Sequence, residues 1–185
     1  MATLLGIGLA ASCGFRVFAP LLVASAAAYG GYLKLTAGFE WLGTVPALSA
    51  LAAAAIIETL AYYIPWLDNL LDTIASPLAV VAGMVLFAAS VTGLDPFLKW
   101  TLAIIAGGGS AAIVQGGTVF ARSASTAMSG GLMNFVVSTF ELICGVFFPV
   151  VSIVVPLLAV TLLAVVVAGM YFMARRLART LRRSE

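Results

Sequence analysis

The sequence predicts an all-α fold: an integral membrane bundle of about six transmembrane helices, arranged as a 3+3 inverted-topology repeat with Gly- and Pro-broken spans. Three observations carry that expectation. Of 185 residues, 63% are hydrophobic and only 9% are charged, against about 25% charge in an ordinary soluble domain, and the mean hydropathy is +1.18. Several apolar stretches reach the roughly 20 residues a helix needs to cross the hydrocarbon core. Runs such as 50–57 and 160–168 do not alternate in polarity, as barrel strands would have to. The same composition excludes a soluble enzyme, a disordered chain and a nucleic-acid binder, whose basic face is missing.

Six spans are expected, near 3–30, 44–64, 74–93, 99–121, 130–149 and 151–174. The first opens on Met1-Ala2-Thr3, without a basic residue, and Arg16 interrupts its apolar run. It is therefore expected to be a retained span and not a cleaved signal peptide. Between the second and third spans, the stretch 62–77 reads as a loop, with Tyr62, Tyr63 and Trp66 forming an interfacial aromatic belt. The basic residues set the orientation. Arg175, Arg176, Arg179, Arg182 and Arg183 crowd the last eleven positions and favour a cytoplasmic C-terminus. Six spans then put the N-terminus and Arg122 inside, and Lys34 and Lys99 outside.

Cys13 and Cys144 lie within apolar spans and read as small buried hydrophobes. Histidine is absent, which removes the usual proton shuttle and general base. No metal-ligand spacing and no nucleophile motif is present, so no catalytic residue, metal or cofactor is expected, and the chain is not read as an enzyme.

Two stretches echo each other. Gly14-Phe15-Arg16-Val17-Phe18-Ala19 resembles Gly116-Gly117-Thr118-Val119-Phe120-Ala121, and an Ala-Ala pair precedes each. Glu58 followed by Pro65 matches Glu141 followed by Pro149, and Ala82-Gly83-Met84 matches Ala168-Gly169-Met170. Read as a duplication, residues 1–93 form a first three-helix repeat, 94–174 a second, and 175–185 a basic cytoplasmic tail. An odd number of spans per repeat forces the halves to insert upside down relative to each other, an arrangement whose binding sites lie at the midplane between the halves.

A charge at bilayer depth costs about 2.5–3.5 kcal/mol on insertion scales, so it persists only against a partner or a water-filled cavity. Arg16, Glu58 and Glu141 lie within spans and Arg122 ends one. The expected pairs are Arg16 with Glu141 and Arg122 with Glu58, each linking the two halves. These charges either lock helices together or line a polar pathway with Asn134 and Ser138. Asn134, Ser138 and Glu141 follow a three-to-four spacing, which places one polar stripe on the fifth helix.

The backbone near these charges is expected to break. Gly14 and Pro20 bracket Arg16, and Gly107, Gly108, Gly109, Gly116 and Gly117 punctuate the fourth span. A proline frees a carbonyl and removes an N–H, and irregular backbone at membrane depth is tolerated only when it is buried in protein or lines a cavity. The Gly-x-x-x-Phe-Ala-Pro run from Gly14 to Pro20 resembles a loop of the chloride-channel family, in which a helix N-terminus points at the anion. The alternative is that the glycines simply permit close helix packing. Asp68 and Asp72, four apart, share one helix face and make a candidate cation site, or Asp68 caps the helix that carries Asp72.

The run Gly14-Phe15-Arg16 with Phe18-Ala19-Pro20, then Glu58, Tyr63-Ile64-Pro65-Trp66-Leu67-Asp68-Asn69 and Leu71-Asp72, then Pro77 with Ala82-Gly83, resembles a bacterial membrane family known as domain of unknown function 4126. Arg122, Gly130-Gly131, Asn134, Ser138 and Glu141 fit its second half. Phe135 stands where that family often has proline after the asparagine. The resemblance implies a small multi-pass protein of the bacterial inner membrane and brings no activity with it.

The leading functional expectation is a transporter or channel for an ion or small charged solute, lined by Arg16, Glu58, Arg122, Asn134, Ser138 and Glu141. The alternatives are a non-transporting scaffold and a protein that handles lipid head groups. The expected partners are the lipid bilayer and a second copy of the chain in a homodimer, with no nucleic acid.

Overall fold

A computed structural model describes residues 1–130 and 133–181, and the side chains of these except Pro65, Trp66, Asp68, Asn69, Met128, Ala174 and 177–181. The described residues contain eight α-helices and no strand. They are α1 (Ala2–Ser12), α2 (Phe18–Tyr29), α3 (Val45–Ala61), α4 (Pro65–Ser90), α5 (Pro96–Leu102), α6 (Gly109–Ser129), α7 (Asn134–Val154) and α8 (Pro156–Leu181). A short 3-10 turn over Glu40–Gly43 precedes α3, and a π-helical segment over Ala103–Gly108 joins α5 to α6.

Four helical stretches are long and apolar enough to cross a membrane: Leu70–Ser90, Pro96–Ala127, Asn134–Val154 and Pro156–Met173. The sequence predicts six spans with Gly- and Pro-breaks, and the first does break around Arg16. The first divides into α1 and α2, of 11 and 12 residues. At about 1.5 Å per residue neither reaches across a hydrocarbon core about 30 Å thick. α3, at 17 residues, is also short of a full span. The stretch 62–77, read as a loop, is helical from Pro65 onward, with Pro77 inside α4. Proline at the first helical position starts a helix well, because its missing N–H would be unpaired there anyway.

The glycines divide in their effect. Gly14 lies in the turn between α1 and α2, and Pro20 is the third residue of α2. Gly107 and Gly108 sit in the π-helical segment and Gly109 opens α6, so the chain bulges there without breaking. Gly116 and Gly117 lie within regular α6, where no break occurs. The last break also moves. Pro149 is inside α7, and the chain turns instead at Val155, whose φ of −139° and ψ of 79° separate α7 from Pro156. Proline disfavours helical backbone in the residue before it, which stops α7 there.

α1 occupies the centre, touching α4, α6, α7 and α8, and its Leu9 and Ala10 are fully buried. Small residues set this packing. A Cβ placed on Gly83 of α4 would come within 2.7 Å of the Ala111 Cβ and 2.9 Å of the Gly107 carbonyl oxygen. One on Gly14 would lie 2.5 Å from the Ala111 carbonyl. Close approach of this kind is how helices associate in lipid, where burial of apolar surface gives no driving force. α3 lies at the edge, with Ile56, Ile57 and Leu60 facing outward and Glu58 inward.

Candidate functional site

The turn Cys13–Val17 ends α1 and leads into α2, leaving the first N–H groups of α2 without intrahelical partners. No side chain of the turn caps them. Glu58 does so from α3, its Oε1 accepting from the Val17 N–H at 2.8 Å and its Oε2 from the Phe18 N–H at 3.0 Å. A carboxylate is well suited to this place, because the start of a helix carries partial positive charge.

Arg16, in the same turn, is 1% exposed. Its Nη2 donates to the Ser138 carbonyl of α7 at 2.9 Å, and its guanidinium carbon lies 3.9 Å from the centroid of the Tyr62 ring. Nε and Nη1 of Arg16 are buried without hydrogen-bond partners. Tyr62 follows α3 one turn beyond Glu58, so its ring and the Glu58 carboxylate share one helix face. Glu58 and Arg122 both lie within electrostatic reach of Arg16.

Arg122 lies over the same ring, 4.0 Å from its centroid. Its Nε donates to Glu141 Oε1 at 3.0 Å and its Nη2 to Glu141 Oε2, which makes a two-point ion pair. Its Nη1 lies 3.5 Å from Asp72 Oδ1 on α4, and the Tyr62 hydroxyl donates to that oxygen at 3.3 Å. Asn134 donates to the Thr126 hydroxyl at 3.0 Å. Asn134, Ser138 and Glu141 are all buried, so the polar stripe of α7 faces the bundle interior.

The fold thus brings Arg16, Glu58, Arg122, Asn134, Ser138 and Glu141 to one place, with other pairings than the sequence suggested. Arg16 does not meet Glu141, and Arg122 does not meet Glu58. Arg122 stands eight residues before Gly130 and Glu141 eight after Met133, so the hairpin of α6 and α7 sets them level with each other. Glu58 is drawn to backbone N–H groups that exist only because the first span is broken. Of the candidate cation site, Asp72 is engaged by Arg122 and Tyr62, while the Asp68 side chain lies outside the described residues. Among the described residues, no three potential metal ligands gather.

Tyr62 was expected at the membrane interface and is instead 5% exposed, at the centre of the cluster. Its place four residues after Glu58 was the signal. Tyr63 is exposed and shares a hydrogen bond with Thr139 at 3.2 Å, and the Trp66 side chain lies outside the described residues. Two apolar recesses flank the cluster. One, of about 300 Å³, lies between α2, α3 and α4 with Glu58 and Tyr62 in its wall. The other, of about 460 Å³, lies between α6, α7 and α8 with Glu141 in its wall.

No curated protein and no solved structure matches the chain. The model of a family described as a domain of unknown function, number 4126, matches residues 3–176. That match takes in every helix that contributes to the charged cluster, and the chain belongs to this family.

Proposed function

We propose that this chain is a small membrane transporter or channel for an ion or small charged solute, with Arg16 and Glu58 at its binding site. The carrying observation is Arg16: a fully buried guanidinium with two nitrogens that hydrogen-bond nothing. Buried polar atoms left unpaired are costly, and charge at membrane depth is kept where it has work to do. The broken backbone beside it is compatible with this reading, since irregular chain at membrane depth is kept only where it is buried in protein or lines a cavity. Within this reading Arg122, Asp72 and Glu141 form the structural side of the cluster, because both carboxylates are engaged by the one guanidinium. Arg16 and Glu58 form the working side.

The test is flux through vesicles reconstituted with the purified protein. Wild type moves one of a set of labelled cations or anions faster than empty vesicles do, and Arg16→Gln and Glu58→Gln change that rate. If no charged probe crosses above the empty-vesicle rate, the transport reading is lost.

A further inference from the structure

We infer that α1 and α2 form a re-entrant hairpin, which enters the bundle and leaves it through the same face. The chain then crosses the membrane five times, through α3, α4, the α5–α6 stretch, α7 and α8. The start of α1 and the end of α8 face opposite compartments, whereas six spans would put both on one side. None of this depends on transport.

Contacts along α4 and α7 fix the direction of α1. Gly6 lies against Phe87 and Val91 at the end of α4, and the Ala10 carbonyl approaches Gly83, one turn deeper. Gly8 touches Ser152 near the end of α7, and Arg16 touches Gly145, two turns back along it. α2 then runs the other way. Its start donates to Glu58 near the end of α3, through the Phe18 N–H. Its end meets the start of α3, where Ala28 lies against Gly43. α2 and α3 are therefore antiparallel. α3 leads into the beginning of α4 through Tyr62, Tyr63 and Ile64, and the Tyr63 ring sits 5.1 Å from that of Phe135 at the start of α7. α2 must then return toward the end of α4, and Thr36 closes the circuit there. Its N–H donates to the Ala89 carbonyl at 2.8 Å and its hydroxyl to that of Ala88 at 2.8 Å. Gly6 and Thr36 thus hold both ends of the hairpin beside the last turns of α4.

Length and hydrogen bonding fit this placement. Helices of 11 and 12 residues reach about 17 Å, roughly half way through the bilayer core. A turn at that depth needs its backbone satisfied by protein. Residues 13–17 are all buried. The N–H groups of Cys13, Gly14 and Phe15 donate to the carbonyls of Ala10, Ala11 and Ser12. Those of Val17 and Phe18 donate to Glu58, and the Gly14 carbonyl accepts from the Thr118 hydroxyl at 3.3 Å. On the far face, α8 runs out past Met170, which packs on Gly117 of α6, to the exposed Arg175 and Arg176. Basic residues at a helix end favour the cytoplasmic side, which assigns the start of α1 to the other.

Single cysteines at exposed positions test the arrangement, because Cys13 and Cys144 are buried and the protein without an added cysteine sets the background. Thr3→Cys, Tyr32→Cys, Met133→Cys and Arg175→Cys are each expressed in a bacterial host. A membrane-impermeant maleimide is applied to intact cells and, in parallel, to permeabilised ones, and labelling is scaled to that in denaturing detergent. Melting of each purified variant confirms that it folds. Thr3→Cys and Tyr32→Cys should label as fully in intact cells as in permeabilised ones. Met133→Cys and Arg175→Cys should gain their label only on permeabilisation. The reverse pattern, with the same two pairs, would keep the hairpin and invert only its orientation. Thr3→Cys that labels together with Met133→Cys and Arg175→Cys, opposite to Tyr32→Cys, overturns the inference and restores a first segment that crosses. An epitope tag ahead of Met1, read by antibody on intact cells, gives the same answer without altering a helix: binding supports the hairpin where Arg175→Cys is shielded, and exclusion of antibody there overturns it.

Discussion

Arg122 and Glu141 face each other across the α6–α7 hairpin in a two-point ion pair that is almost wholly withdrawn from the surface. Removing either member breaks the pair: Glu141 loses its guanidinium, and Arg122 is left with Asp72 and the Tyr62 ring. Breaking a buried pair from one side costs about 3–5 kcal/mol, whereas replacing both members with apolar residues of similar size is often close to neutral. Arg122→Leu and Glu141→Leu should each lower the unfolding temperature in detergent markedly. Arg122→Leu also takes the Arg122 guanidinium from Asp72, which keeps the Tyr62 hydroxyl, so the double variant should recover much of the Glu141→Leu loss but stay below wild type. A double variant that loses as much as both single variants added together would refute the coupling.

Tyr62 can be divided into ring and hydroxyl. Tyr62→Phe keeps the ring beneath both guanidinium groups and loses only the 3.3 Å bond to Asp72, a loss of about 1 kcal/mol. Tyr62→Leu removes the ring from Arg16 and Arg122 alike, and desolvated contacts of this kind are worth up to about 2 kcal/mol each. The leucine variant should therefore melt well below the phenylalanine variant. Equal melting would show that the ring contributes nothing beyond its volume.

Gly83 and Gly116 offer a paired test of close packing. Alanine at Gly83 drives its Cβ against Ala111 and the backbone oxygen of Gly107, and overpacking of this sort costs about 1–3 kcal/mol. Alanine at Gly116 meets nothing within 4 Å and should gain up to about 1 kcal/mol from better helix propensity. Gly83→Ala is expected to melt lower than wild type and Gly116→Ala no lower. The reverse order would contradict the helix crossing described for α1, α4 and α6.

Cys13 is fully buried and Cys144 is 5% exposed. Buried thiols react slowly with maleimides. Both should resist a membrane-permeant maleimide in the folded protein and label together once heat or a denaturing detergent unfolds it, as read by intact mass. Rapid labelling of Cys13 under native conditions would mean that the centre of the bundle opens.

The apolar, all-helical character of this chain was legible in composition alone, and so was the break around Arg16, because glycine and proline flank a charge that lipid will not accept. The polar stripe of α7 was equally readable from the spacing of Asn134, Ser138 and Glu141. Other features depend on tertiary placement. Glu58 could be seen as buried charge, but its partners are two backbone N–H groups that exist only after the first span divides. Tyr62 reads as an interfacial residue until Pro65 is recognised as starting a helix and not as lying in a loop. Prolines mislead in the same way at the other end, where Pro149 is absorbed into α7 and Pro156 ends it. The five glycines of the fourth span look alike in sequence, yet Gly107 and Gly108 lie in a π-helical segment and Gly109, Gly116 and Gly117 lie in α6.

Arg16 and the Ser138 carbonyl that accepts its hydrogen bond are 122 positions apart, and this separation constrains how the protein is made. The ribosome delivers the guanidinium long before the acceptor that holds it. Until α7 emerges, the Tyr62 ring is present to receive the guanidinium but the carbonyl that fixes Nη2 is not. The last hydrogen bond on the Arg16 guanidinium therefore waits for most of the chain to be made.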